Sequence, residues 1–256
     1  MITDTRRSAA YGGSAVREIE EHAAKIRKNA LLEEIYRDIY ARIAAEVPVQ
    51  TYPRLLEIGS GGGFFREFAP HAVTSECIPV PGVDRLLDAC RIADEFEAAS
   101  LDAIAGFNVF HHLPDASGFL RGASRVLRPG GRIALVEPWF TPIGQWFYRA
   151  IHPEPSILDA SDWRLVGEGR LGGANTRLPT SVFRDGEERF AREFADLVIV
   201  KREPFHKWLY LLSGGLRLNT RMPRALARGF VRLDRDIAWG NASLGLFALV
   251  VVERKS

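Results

Sequence analysis

The sequence predicts an α/β protein built on a mostly parallel sheet, and three observations carry that prediction. First, the apolar run Leu55-Leu56-Glu57-Ile58 breaks into Gly59-Ser60-Gly61-Gly62-Gly63, after which Phe64-Phe65-Arg66-Glu67-Phe68 has helix-like spacing. A strand, a tight turn and a helix start in this order place a nucleotide-like ligand at the carboxyl end of a parallel sheet. Second, apolar runs near 71–78, 101–107 and 132–138 alternate with helical stretches. Third, 256 residues with 46% hydrophobic and 26% charged content suit one large soluble domain with insertions, or a core with a small cap.

Composition narrows the function classes. A net charge of +2 gives no global reason to expect nucleic acid. Cys77 and Cys90 are too few for a disulfide framework and lack metal-ligand spacing. The first seven residues are polar with no signal-peptide core, and the longest apolar run, 244–252, is too short to span a bilayer. A cytoplasmic location is expected.

Taken in order, residues before Ser14 read as loose chain. From Ala15 to Ala45 the apolar residues recur at helical spacing, with Tyr36 and Tyr40 on one face. They are packing residues or an aromatic lid over the turn. Pro48 and Pro53 precede the first strand. In the turn itself, glycine at 59 and 61 removes Cβ atoms that would keep the backbone from a ligand, and the first amides of the next helix face the same space. That helix ends near Pro70. The second strand spans 71–78, and Glu76 near its end lies seventeen residues beyond Gly59, close to where an acidic ribose ligand stands. A carboxylate there accepts hydrogen bonds from both ribose hydroxyls.

Spacing decides which nucleotide. A dinucleotide turn reads G-x-G-x-x-G, and Phe64 holds the place of its third glycine. The pattern E-x-G-x-G-x-G fits instead, through Glu57, Gly59, Gly61 and Gly63. This resembles the first motif of the class I (Rossmann-like) S-adenosylmethionine (SAM)-dependent methyltransferases, small-molecule type. Asp88-Ala89 resembles the adenine-binding position of that family. Ala105-Gly106-Phe107-Asn108-Val109-Phe110-His111-His112-Leu113-Pro114-Asp115 resembles the end of its fourth strand and the loop that follows. A helix over 116–127, the turn Arg128-Pro129-Gly130-Gly131 and a fifth strand, Arg132 to Pro138, complete a resemblance covering roughly residues 54–138.

The resemblance implies a seven-stranded sheet of order 3-2-1-4-5-7-6 with strand 7 antiparallel, an N-terminal helix, and enlarged connections between strands 5 and 6 and strands 6 and 7. Residues 197–200 and 243–252 can supply strands six and seven. The chain then divides into an N-terminal helical extension (1–50), a SAM-binding half (51–138) and substrate-side insertions (139–196 and 201–240) of one domain. The implied cofactor is SAM. It would be held by Glu57, Gly59, Ser60, Gly61, Gly63, Glu76, Asp88, Ala89 and Asn108, with Glu57 bracing the turn.

SAM carries its own electrophile, so the protein mainly positions the acceptor, and a base is needed only where the acceptor is still protonated. His111 and His112 stand where strand four delivers groups to the cleft and are the candidate bases. Glu137, His152 and Glu154 are further candidates. The insertions carry Trp139, Phe140, Trp146, Phe147, Tyr148, Trp208 and Tyr210, which suit a hydrophobic small-molecule or lipid-like acceptor. No cluster of metal-binding carboxylates stands out, so a metal-independent transfer is expected. Residues 221–237 form a basic amphipathic stretch, so peripheral contact with a membrane is a further expectation. Rival readings are a SAM-binding protein without methyltransferase activity and an NAD(P)-dependent oxidoreductase. The second is disfavoured by Phe64 and by the lack of a Tyr-x-x-x-Lys pair.

Overall fold

A computed structural model describes residues 5–152, 154–156, 162–165, 173–206, 208–216, 221–237 and 239–256, with side chains from Gly13 onward. Parts of both insertions, 157–161, 166–172 and 217–220 among them, lie outside the described residues. Seven strands form one sheet: β1 (Leu55–Ile58), β2 (Val73–Glu76), β3 (Arg85–Leu86), β4 (Leu101–Phe107), β5 (Leu127–Pro138), β6 (Leu197–Phe205) and β7 (Phe247–Arg254). Their order is β3-β2-β1-β4-β5-β7-β6. β7 runs antiparallel to both neighbours, and the other adjacent pairs are parallel.

The sheet is buried on both faces because its central strands alternate apolar residues with apolar residues, as a sheet covered twice requires. Ala103, Ala105, Val136, Leu249 and Val251 face a core shared with Leu31, Ile35, Ile39 and Ile43 of helix α2 (Ala30–Glu46). Ile104, Ile133, Leu135, Val250 and Val252 face the opposite core. There they meet Phe119, Leu120 and Ala123, which lie on α4 (Ala116–Val126). The second and third connections are slight, with a 3₁₀ turn, Ala89–Arg91, running into the short α3 (Ile92–Glu95) between β3 and β4.

Several expectations are corrected here. The helical stretch over 15–45 is two helices, α1 (Thr5–Lys28) and α2, because the Asn29 side chain accepts the Leu32 amide and caps a new start. The chain before Ser14 is already helical from Thr5. After the glycine turn there is only a 3₁₀ turn, Phe64–Glu67, with Phe64 and Phe65 buried as anchors. No helix long enough to present a row of amides follows the turn. The Pro129-Gly130-Gly131 turn is absorbed into an irregular β5, whose pairing with β4 slips between Leu101 and Ala103. β6 continues five residues past Val200, so the last insertion begins at His206 rather than 201. β7 starts at Phe247 because Asn241–Leu244 closes into a one-turn helix.

The first insertion supplies α5 (Pro142–Ala150), α6 (Leu178–Thr180), a π turn over Ser181–Asp185 and α7 (Glu187–Glu193). The second supplies α8 (Leu209–Ser213), α9 (Arg224–Asp236) and α10 (Asn241–Leu244). On α9 the basic side is the docked side: Arg224, Arg228 and Arg235 pair with Glu33, Glu34 and Asp38 of α2, while Leu226, Leu233 and Ile237 are exposed. Among the described residues, no helix is long and apolar enough to cross a membrane.

Candidate active site

The glycine turn is held to the sheet by serines. Ser75 Oγ donates to the Glu57 carbonyl at 2.7 Å, the Ser75 amide donates to Ser60 Oγ at 3.0 Å, and the Ser60 amide donates to the Ser75 carbonyl at 3.0 Å. These bonds tie the end of β1 to β2, so the turn is fixed by the sheet itself. The glycines divide by role. A Cβ at Gly59 (φ +63°) would meet Val109 Cγ2 at 2.6 Å, so this glycine serves the packing of the β4 exit against the turn. At Gly61 (φ +49°) and Gly63 (φ +70°) a Cβ would meet nothing within 4 Å. Space above the backbone is therefore open at 61 and 63, and filled by protein at 59.

Glu76, at the end of β2, accepts the Gly61 amide at 2.8 Å through Oε1 and the Cys77 amide at 3.2 Å through Oε2. Burial pushes its carboxyl pKa up, against the pull of those amides. Asp88 accepts the Cys90 amide at 3.0 Å and caps the short turn that begins at buried Ala89. Two buried acceptors near the turn, Glu57 Oε2 and Asn108 Oδ1, have no hydrogen-bond partner. Burial pushes the Glu57 carboxyl up to about 8. Asn108 adopts φ +52°, a conformation asparagine tolerates better than most residues. Tyr36 and Tyr40 are buried against Phe64 and Phe107 and pack the floor beneath this end of the sheet. α1 lies across the turn, with Arg27 over the Phe64 ring, and a cleft of about 340 Å³ opens between them.

Beside this end of the sheet the structure gathers a polar cluster. Phe107 pairs with Val136, so the next residue of β5, Glu137, stands at the start of the loop leaving β4. Glu137 is fully buried, and its Oε1 accepts the Val109 and Phe110 amides, each at 2.8 Å. Its Oε2 lies 2.6 Å from His111 Nδ1. The carboxylate thus replaces the backbone partners that a loop loses on leaving a sheet. It also leaves Nε2 as the free face of the His111 ring. That face meets Glu154 of the first insertion at 3.3 Å, and His112 Nε2 stands 3.7 Å from the other Glu154 oxygen. Burial alone would lower the His111 pKa, but Glu137 and Glu154 outweigh it and hold it at about 9. Burial and the neighbouring His111 push His112 down to about 4.

The sequence candidates thus fall into two groups. Glu57, Gly59, Ser60, Gly61, Gly63, Glu76 and Asn108 surround the turn, with Asp88 and Ala89 just beyond β3. His111, His112, Glu137 and Glu154 form the adjacent cluster, and His152 Nδ1 is 3.8 Å from Glu154. Most of the insertion aromatics are core. Trp139, Phe140, Phe147 and Tyr148 are buried, Tyr148 donates to the Leu246 carbonyl at 2.7 Å, and Trp146 is exposed. What spacing did not reveal is the central place of Glu137. The signal was available: an acidic residue ending an otherwise apolar strand beside a binding loop.

Comparison with known proteins settles the family. Residues 24–169, more than half of the chain, match the family described as "Methyltransferase domain". The chain belongs to that family. Its sheet order and reversed β7 are those expected of the class I, SAM-dependent kind. The chain is 31% identical over 164 residues to the 27-O-demethylrifamycin SV methyltransferase of Amycolatopsis mediterranei (strain S699), covering 56% of each protein. The chain therefore spans about half the length of that curated relative. Solved structures of similar shape include a putative sarcosine dimethylglycine methyltransferase from Galdieria sulphuraria (16% identity, 88% of each chain, TM-score 0.49). Another is a geranyl diphosphate C-methyltransferase from Streptomyces coelicolor A3(2) (15% identity, 88% of this chain and 82% of that one, TM-score 0.47).

Proposed function

We propose that this methyltransferase moves the methyl group of SAM to a hydroxyl of a hydrophobic small molecule, with His111 as the proton acceptor. The observation that carries the proposal is the buried Glu137–His111 pair, with Nδ1 held at 2.6 Å and Nε2 turned away from Glu137. A neutral amine, whose lone pair is already free, would not call for such a braced imidazole. A hydroxyl does, because its proton must leave as the C–O bond forms. The name of the Amycolatopsis relative, which specifies an O-demethylated substrate, points the same way.

SAM supplies a methyl group on a positive sulfur. The residues around the turn suit it. Gly61 and Gly63 leave room for it, Glu76 would offer a carboxylate to the ribose, Asp88 and the Ala89 backbone would take the adenine, and Glu57 Oε2 and Asn108 Oδ1 would offer acceptors to an ammonium group. In the resting arrangement Glu154 occupies the Nε2 side of His111, and its charge helps keep the ring protonated. Acceptor entry displaces that carboxylate, and the ring releases its Nε2 proton to solvent as Glu154 leaves. The deprotonated ring then takes the hydroxyl proton on Nε2, the oxygen bonds to the methyl carbon, and the carbon–sulfur bond electrons return to sulfur. The step needs no metal. Buried Glu137 holds the ring throughout.

Turnover of methyl-labelled SAM with a panel of aromatic and polyketide-like alcohols, in chelator, tests this reading. Label should appear as a methyl ether with wild type, and His111→Ala should lower the rate on the order of 10²–10⁴-fold. SAM binding by calorimetry without any turnover on hydroxylated, amine or carbon acceptors would instead support a binding protein.

A further inference from the structure

We infer that His111, His112 and Glu154 form a binding site for a divalent transition metal, with zinc the ion that fits. Their donor atoms all lie within 4.8 Å of one another. Glu154 stands 3.3 Å from His111 Nε2 and 3.7 Å from His112 Nε2. Tetrahedral zinc with bonds of about 2.0–2.1 Å holds its donors roughly 3.3 Å apart. The three groups therefore need only small adjustments to close around an ion.

The outer partners are also in place. His111 Nδ1 is taken by Glu137 at 2.6 Å and His112 Nδ1 by the Gly173 carbonyl at 3.2 Å, so both rings present Nε2 to the same carboxylate. A metal-binding histidine is oriented in this way, by a carboxylate or a carbonyl on its other nitrogen. The two rings sit on one 3₁₀ turn with centroids 4.1 Å apart, so neither must swing to join the other. Two imidazoles and one carboxylate favour zinc or a similar ion over magnesium, which prefers oxygen. Three protein donors leave a fourth tetrahedral position for water or another ligand. A metal there would fasten the first insertion to the β4 loop and occupy the His111 nitrogen assigned above to the acceptor's proton. The metal-bound form would withhold that base. Binding itself is independent of the proposed reaction and is tested without SAM or acceptor.

The experiment is titration of chelator-stripped protein with cobalt(II) alone, followed by visible absorption, with zinc then added to displace it. The expected result is one cobalt per chain, a d–d band without a thiolate charge-transfer band, loss of that band on adding zinc, and a higher Tm with zinc than without. His112→Ala and Glu154→Gln, at partly exposed positions, should each weaken cobalt binding on the order of 10–100-fold while melting like the metal-free wild type. Absence of a cobalt band at millimolar metal, affinity unchanged from wild type in both variants, or a thiolate band would each overturn the assignment.

Discussion

Replacing Glu137 with glutamine separates support of the fold from support of the chemistry. The amide is nearly the same shape. Its oxygen can still accept the Val109 and Phe110 amides, now at 2.8 Å from the carboxylate Oε1. Its NH₂ group must then face His111 Nδ1, where the carboxylate Oε2 stands at 2.6 Å. A donor at that point turns Nδ1 into an acceptor and moves the ring proton to Nε2, the wrong tautomer for taking a proton from the acceptor. Four contacts, the longest from the His111 amide at 3.4 Å, lose charge assistance, which costs on the order of 2–3 kcal/mol of stability. Loss of the base should lower kcat roughly 10²–10⁴-fold. Glu137→Ala would be less informative, because it leaves two buried amides unsatisfied at about 1–3 kcal/mol each. The assay is the initial rate with labelled SAM at saturation in chelator, with SAM affinity by calorimetry and Tm measured in parallel. If Glu137→Gln melts a few degrees lower yet keeps a rate within about twofold of wild type, against the usual value of base assistance, the His111 tautomer is not used.

Further outcomes test other parts of the molecule. Gly61→Ala should weaken SAM binding at least about tenfold while losing only the roughly 1–2 kcal/mol of a left-handed alanine. Gly59→Ala should also clash with Val109 and melt lower than Gly61→Ala; calorimetry and thermal melts on both variants decide this. Asp102 is buried among Arg54 and Arg128, whose guanidinium groups, with the Arg54 amide, hold its carboxyl at about 2. Because its pKa is lowered on folding, it stabilises the fold above about pH 4 and loses that contribution as pH falls from about 4 to 2, by at most about 2 kcal/mol. Asp102→Asn should flatten that part of an acid-denaturation profile, and an unchanged profile would refute the assignment. His206 is buried between Asp38 and Asp234, 3.3 Å from each, where β6 hands over to the last insertion. His206→Ala should cost about 1–3 kcal/mol through loss of its buried hydrogen bond to Asp234, measured by urea unfolding.

The sequence alone determined the elements whose signals are local. Glycines 59 to 63 mark a turn because few other residues adopt its positive φ angles, and the apolar runs of β4 and β7 mark strands buried on both faces. Those signals lie within a few residues of each other, where backbone period and steric limits act directly. Tertiary structure decided what depends on which strands are neighbours. Only the pairing of Phe107 with Val136 brings Glu137 to the amides of Val109 and Phe110, and only the fold of the first insertion carries Glu154 to His111. The same holds for Gly59, whose missing side chain makes room for Val109, and for the arginines of α9, whose partners lie on α2. Asn29 could have been read as a cap, but unbroken apolar spacing on both sides of it concealed the break. Local propensity is written in short stretches of chain, whereas a buried carboxylate takes its meaning from donors that the sheet order delivers to it.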